Sequence, residues 1–229
     1  MKTVSSLALL VLFVSGCAKS ESAPPADTSA PAAAAANADP DVSAVGGSLP
    51  AGFTARTDKA DAKISDAAYT PNGDKWDVKT GPAHIVYSAQ TMGNGNYTAS
   101  ATIEQLEAPA HPEAYGIFIG GRDLDQPTQT YTYFIVRGGG EMAVKVREGD
   151  KTRDVIKWTA SPDVPKADAS GKATYALAAQ VTNDAVKFSV NGKQVGSVSK
   201  AGLPTDGIAG MRINHNLHVN VTPVTVKTP

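Results

Sequence analysis

From residue 49 to its end the chain is a succession of short alternating runs divided by Gly, Pro, Asn and Asp, with no sustained helical period. In NYTASATIEQLE (96–107), Tyr97, Ala99, Ala101 and Ile103 fall on one side, and Thr98, Ser100, Thr102 and Glu104 on the other. Similar runs recur at YGIFIGG (115–121), QTYTYFIVRG (129–138), MAVKVREG (142–149) and DVIKW (154–158). TYALAAQV (174–181), AVKFSV (185–190), KQVGSV (193–198), GIAGMRI (207–213) and LHVNVTPVTV (217–226) complete the series. A two-residue period sends successive side chains to opposite faces of a strand. About ten such runs, roughly 8 to 15 residues apart, predict an all-β, two-sheet antiparallel sandwich. About 180 residues is ample for one core, and no second boundary is visible. Asn191-Gly192, inside KFSVNGKQVGSV, is the pair a type I′ hairpin turn prefers, because both central residues take positive φ. Phe188 and Val190, with Val195 on the returning strand, are the expected buried contacts of that hairpin, which reads as scaffold.

The first 48 residues have a different character. MKTVSSLALLVLFVSGC opens with Lys2, continues with an apolar run at 7–14, and places Ser15 and Gly16 before Cys17. The apolar run is far shorter than the roughly 20 helical residues a bilayer requires. A charged start, a short apolar core and a small-residue cleavage site describe a secretory signal. The ending VSGC resembles the bacterial lipobox. That resemblance implies a signal peptide at 1–16, and lipidation of Cys17 as the first residue of the mature protein. Several acyl chains would then hold it firmly, where one alone holds only marginally. Cys17 is the sole cysteine, so no internal disulfide can form. Ala18 and Lys19 follow it, not the Asp that marks inner-membrane retention in enteric lipoproteins. The resemblance therefore points to the outer membrane of a bacterial cell envelope. Residues 18–48 are rich in Ala, Pro and Ser and contain no aromatic residue. Such a stretch cannot bury enough apolar surface to offset its ordering entropy. The expected division is signal peptide 1–16, lipidated Cys plus flexible tether 17–48, and sandwich domain 49–229.

The order of the strands resembles the concanavalin A-like jelly roll, in its laminin-G-like and 3-keto-disaccharide hydrolase branches. DKWDVKTGPAHIVYS is similar to the family's opening strand pair, and GNYTASATIEQLE to its long strand. AYGIFIGGRD and YTYFIVRGGGEMAVKVREG resemble its central sheet. VKFSVNGKQVGSV and DGIAGMRINHNLHVNVTPVTV match its hairpin and closing strand. The resemblance implies stacked sheets, a face that often holds sugars, and many members without catalysis.

Lys plus Arg number 21 against 22 Asp plus Glu, for a formal net charge of −1. This argues against nucleic acid, which calls for a basic patch. No Gly-x-Ser-x-Gly elbow, phosphate loop or dinucleotide fingerprint is present. Glycoside hydrolysis usually takes two carboxylates across the scissile bond. Laminarinase-type members of the resembled superfamily supply them as Glu-x-Asp-x-x-Glu. Here Glu104 and Glu107 stand three apart without the central Asp, so on a strand they face opposite ways. Asp123 and Asp125 offer two carboxylates for calcium, which needs six to eight oxygens, so a solvated turn is the simpler reading. His215 and His218 have helical zinc spacing but diverge on a strand, and His84 and His111 are isolated. No catalytic residue, cofactor or metal is therefore assigned. The candidate ligand surface comes from parity in 129–148. Thr132, Phe134 and Val136 share one face, while Tyr131, Tyr133 and Arg137 share the other with Lys145 and Arg147 of the next strand. Such an aromatic and cationic face suits sugars, although Tyr and Arg also decorate ordinary strand faces. Trp158 is either a platform there or a core plug. Glycan binding without catalysis is the leading expectation. A glycoside-acting enzyme of the 3-keto-disaccharide hydrolase type, or an envelope protein making protein contacts, is the alternative.

Overall fold

Residues 39–229 are described by the computed structural model; Cys17, the signal peptide and most of the expected tether lie outside the described residues. Fifteen strands follow one another: β1 (Thr54–Thr57), β2 (Ala68–Asn72), β3 (Lys75–Lys79), β4 (His84–Gly93) and β5 (Tyr97–Gln105). Next come β6 (Ala114–Arg122), β7 (Thr130–Arg137), β8 (Glu141–Glu148), β9 (Lys151–Ala160) and β10 (Ala173–Val181). The series ends with β11 (Ala185–Val190), β12 (Lys193–Ser199), β13 (Gly207–Ile213), β14 (His218–Val221) and β15 (Thr225–Lys227). A single 3-10 turn (Ile64–Asp66) is the only helical element among the described residues.

The strands form two antiparallel sheets in a jelly-roll sandwich. One has seven strands in the order β1-β4-β13-β6-β7-β8-β9. The other has the order β12-β11-β10-β5-β14-β3-β2, with β15 also paired to β5. Inserting β13 between β4 and β6, and β5 between β10 and β14, makes neighbours of strands far apart in sequence. The alternation read in 96–107 becomes strictly alternating burial along β5. Its Tyr97, Ala99, Ala101 and Ile103 join the core between the sheets. Aromatic pairs help to close that core. Phe134 of β7 lies 5.1 Å from Phe188 of β11, and Tyr115 of β6 lies 5.6 Å from Tyr175 of β10, between ring centroids. Tyr115 donates its hydroxyl to Gln105 Oε1 at 3.0 Å, satisfying two buried polar groups at once.

Proline sets two details that a pattern of alternation blurs. LHVNVTPVTV reads as one strand, yet Pro223 lacks an N–H for a continuous ladder, and the segment splits into β14 and β15. Pro71 sits in β2, which is an edge strand, where a missing donor is tolerated. The Asn191-Gly192 turn takes φ values of 50° and 80°. Asn191 Oδ1 accepts from Ala176 N at 2.7 Å, and its Nδ2 donates to Thr174 O at 3.3 Å, so the turn clasps the neighbouring β10. Residues 39–48, the expected end of the tether, touch the sandwich directly. Val42 N donates to Asn216 Oδ1 at 2.8 Å and Ala44 N to Asp66 O at 2.9 Å. The compact unit runs Asp39–Pro229.

Candidate functional site

The seven-stranded sheet has a second apolar layer on the face turned away from the sandwich core. Tyr131, Tyr133, Ile135 and Ala143 belong to it, together with Ile85, Tyr87, Ala114, Phe118 and Leu124. The registers explain how they meet. Phe118 stands opposite Tyr133 and also opposite Gly210, while Tyr131 and Tyr133 stand opposite Arg147 and Lys145. A Cβ at Gly210 would come within 2.5 Å of the Phe118 ring, so this glycine provides the slot in which that ring lies. The Tyr131 ring then packs 5.0 Å from Phe118 and 5.5 Å from Tyr133, between centroids. These spacings suit tilted aromatic pairs.

Two arginines complete the layer. Arg212 of β13 makes a bidentate pair with Asp58, Nη1 to Oδ1 at 2.8 Å and Nη2 to Oδ2. Burial works against the Arg212 charge, but the Asp58 carboxylate and the neighbouring tyrosines outweigh it and hold its pKa above the ordinary range. Arg56 of β1 reaches the loop after β6 and donates Nη1 to Leu124 O at 3.0 Å and to Gln126 O. The end of β6 is bulged between Ile119 and Arg122. The loop that follows folds back through a Gln126 N to Asp123 O bond at 2.8 Å, and Leu124 packs into the outer layer. A bulge that re-aims the end of a strand is a recurrent device.

An open cleft of about 560 Å³ lies beside this layer, between β1, the loop after β6 and the β8–β9 turn, and Tyr87 is the member of the layer that lines it. Arg56, Tyr87, Asp125, Gln129, Arg147 and Asp150 are among the groups around it. Arg147 Nε donates to Gly149 O at 2.7 Å, which fixes the guanidinium plane at the cleft wall. Burial raises the pKa of Tyr131, and that of Tyr133 to about 12; it also raises Tyr87, with help from Asp125. All three therefore keep their phenolic protons at neutral pH.

The residues singled out by parity occupy one face, in two different conditions. Tyr131 and Tyr133 are 2% and 6% exposed, so they form the floor of the face and not an open platform. Arg147 lines the cleft. Arg137 is engaged elsewhere: its Nε donates to Glu141 Oε2 at 2.6 Å, and its guanidinium lies 4.5 Å over the ring of Trp158. Trp158 packs against the outer layer from β9. Lys145 pairs with Asp154 at 2.8 Å, and that contact holds the Asp154 carboxyl below its ordinary pKa. The five residues chosen by parity share this face, Trp158 joins them from β9, and charge pairing separates Arg147 from Arg137 and Lys145. Arg56, Asp58, Tyr87 and Arg212 escaped the sequence reading. One signal was available for Arg212, a lone charge at a strand position within the apolar GIAGMRI.

Of the weighed metal candidates, Asp125 lines the cleft, and Asp123 takes a φ of 51° in the loop and accepts from Thr128 Oγ1 at 3.4 Å. His218 contacts Asp77 at 3.1 Å, while His215 contacts Glu113 at 2.9 Å, so the two histidines serve different carboxylates. Glu104 is held by Lys75 and Asn220 on the eight-stranded sheet, and Glu107 comes 3.5 Å from His218.

No protein-family model matches the chain. No curated protein matches it either. Solved structures do. The carbohydrate-binding module CBM66 from Bacillus subtilis aligns over 77% of this chain and 96% of its own, at 12% identity and a TM-score of 0.56. A Bacillus subtilis protein of unknown function with a galectin-like fold covers 77% of this chain and 89% of its own, at 12% identity and a TM-score of 0.54. The shared property is the fold. The chain and these two proteins share a jelly-roll sandwich fold.

Proposed function

We propose that the protein is a lipid-anchored bacterial envelope lipoprotein whose sandwich binds a glycan without catalysis, through the cleft beside Arg147. The observation that carries this reading is the cleft itself. Tyr87, Asp125, Gln129 and Asp150 stand around it, next to the Arg147 guanidinium fixed at the wall. Such flanking donors and acceptors can fix the hydroxyls of a sugar, as the few placed polar groups of a small-molecule site do. The CBM66 likeness supports the reading, because that protein is a carbohydrate-binding module by name and has the same fold. VSGC at the head of the chain, with its single cysteine, supports anchoring through Cys17.

The test is retention of the full-length chain, in detergent, on a glycan array. Arg147→Gln and Tyr87→Phe should each weaken binding about tenfold, the equivalent of roughly 1.4 kcal/mol. Arg137→Gln, whose guanidinium is already engaged, should change it far less. Absence of retention on every polysaccharide would favour a surface for protein contacts. Turnover of a 3-keto-glycoside that disappears with Arg147→Gln would replace binding by hydrolysis of the 3-keto-disaccharide hydrolase type. Anchoring has its own test: a Cys17→Ser chain should leave the membrane fraction, and a chain still held there would sink that part of the proposal.

A further inference from the structure

Away from the cleft, three chain segments bring metal-ligating atoms together at one end of the sandwich. Asp39 comes from the lead-in to the domain, Glu113 from the loop before β6, and His215 from the turn between β13 and β14. One ligand atom from each lies within 4.8 Å of the other two. His215 Nε2 stands 2.9 Å from Glu113 Oε1 and 3.8 Å from Asp39 Oδ2. Around a tetrahedral zinc ion, ligand atoms roughly 2.0–2.1 Å from the metal sit roughly 3.3 Å apart. The observed separations bracket that value.

The far atom of each residue is held by another group. His215 Nδ1 meets Asp41 Oδ1 at 3.1 Å. Glu113 Oε2 accepts from Asn214 Nδ2 at 2.9 Å, and Asp39 Oδ1 accepts from Asn216 Nδ2 at 3.1 Å. Carboxylate support of a ligating histidine, and hydrogen-bonded ligating carboxylates, are the outer-shell pattern of metal sites. One further observation is independent of the clustering. Asp39 Oδ2 is the buried side-chain oxygen or nitrogen that finds no hydrogen-bond partner among the described residues, and it is the atom turned toward His215 and Glu113. Leaving a buried carboxylate oxygen unsatisfied is costly. A cation between the three atoms satisfies all of them.

We propose that Asp39, Glu113 and His215 form a binding site for a divalent metal of the zinc class. His111, whose Nε2 lies 3.9 Å from Asp39 Oδ2 on an exposed side chain, is placed to rotate in as a fourth ligand. An imidazole with two carboxylates favours zinc over calcium, which takes six to eight oxygens. The ion fastens the start of the described chain to a loop and a turn that lie far along the sequence. Linking such distant positions is where a clip stabilises most.

The experiment uses the full-length chain in detergent, stripped with a chelator and titrated with zinc by calorimetry and by denaturation. One equivalent should bind. At free zinc 100-fold above its dissociation constant, the unfolding equilibrium constant should fall about 100-fold, with no response to calcium. Cobalt(II) in place of zinc should show the visible absorption of a low-symmetry tetrahedral site. Asp39→Asn keeps the shape and the Asn216 contact and removes the anion, so it should weaken zinc at least roughly tenfold, as should His215→Ala. His111→Ala separates a fourth protein ligand from a water. No saturable uptake at micromolar zinc overturns the proposal, as does uptake that Asp39→Asn and His215→Ala leave unchanged. An Asp39→Asn chain more stable than the parent, with neither responding to zinc, would reduce the cluster to an ordinary ion network.

Discussion

Removing the carboxylate of Asp58 isolates a guanidinium that water barely reaches. The Arg212 side chain is 9% exposed and that of Asp58 28%. Two charge-assisted bonds are lost in Asp58→Ala, worth roughly 1.5–3 kcal/mol each before solvent compensates. Breaking a buried pair from one side generally costs about 3–5 kcal/mol, because an unpaired charge is left behind. Water can reach the partly exposed Asp58 position and hydrate Arg212 in part, so the lower end, about 3 kcal/mol, is expected. With a urea m-value of roughly 2 kcal/mol/M, the unfolding midpoint should fall by about 1.5 M. Arg212→Met removes the charge and keeps an apolar stem against Tyr131 and Tyr133. Added to Asp58→Ala it should recover much of the loss, since apolar replacement of both partners is often nearly neutral. The measurement is a double-mutant cycle in urea, followed by far-UV circular dichroism. A single-variant loss under about 0.5 kcal/mol, or simple additivity of the two changes, would mean that the pair does not hold the floor.

Buried His84 makes stability fall as the solution is acidified. Its Nδ1 faces Pro82 O at 2.8 Å, which can only accept, so Nδ1 carries the proton and Nε2 accepts from the Tyr69 hydroxyl. Burial lowers its folded pKa to about 4 from 6.5. Between those values the unfolded chain holds the extra proton, so this stability is whole above pH 6.5, declines toward pH 4 and then levels off. At about 1.4 kcal/mol per unit the full loss is roughly 3.5 kcal/mol. Urea midpoints across that range should lose this slope in His84→Gln, and an unchanged slope would refute the assignment. At the hairpin, Asn191→Ala should cost roughly 1–2 kcal/mol, because the backbone N–H of Ala176 loses its acceptor. It should leave glycan retention untouched, and a loss of retention in a stable variant would move the site to the hairpin.

Period-two alternation made β7 legible almost residue by residue, and its inner row of Thr132, Phe134 and Val136 is the row buried toward the other sheet. The burial of its outer row was not legible. It depends on Phe118 finding a slot over Gly210, and on Arg56 holding a loop 68 residues away in sequence. Those contacts follow from the order β1-β4-β13-β6-β7, and alternation within a strand carries no information about which strand lies beside it. The three-residue cluster at the end of the sandwich was hidden for the same reason. His215 and Glu113 are 102 positions apart, and the local spacing that did suggest a metal, His215 with His218, pairs two histidines that serve different carboxylates. Patterns reveal faces; only topology reveals which faces share a neighbourhood.

Cleft size alone would not have chosen the proposed glycan site. The outer face of the eight-stranded sheet carries a cleft of about 530 Å³, against about 560 Å³ on the seven-stranded sheet. Its walls are Ser100, Thr102, Ala176, Ala178, Ser189 and similar small groups, with no ring and no cationic side chain among those described. A sugar there would find hydroxyls that water already serves well and no flat apolar surface to cover. The other cleft differs in being pre-paid: its Tyr87 ring packs 6.3 Å from Phe118, and Arg147 is oriented by its own bond to Gly149 O. Few side chains then lose freedom when a ligand arrives, and ordering a rotamer-rich side chain otherwise costs roughly 0.5–1.5 kcal/mol. The preset Arg147 and the packed layer behind Tyr87 therefore favour the proposed site over the cleft on the other sheet.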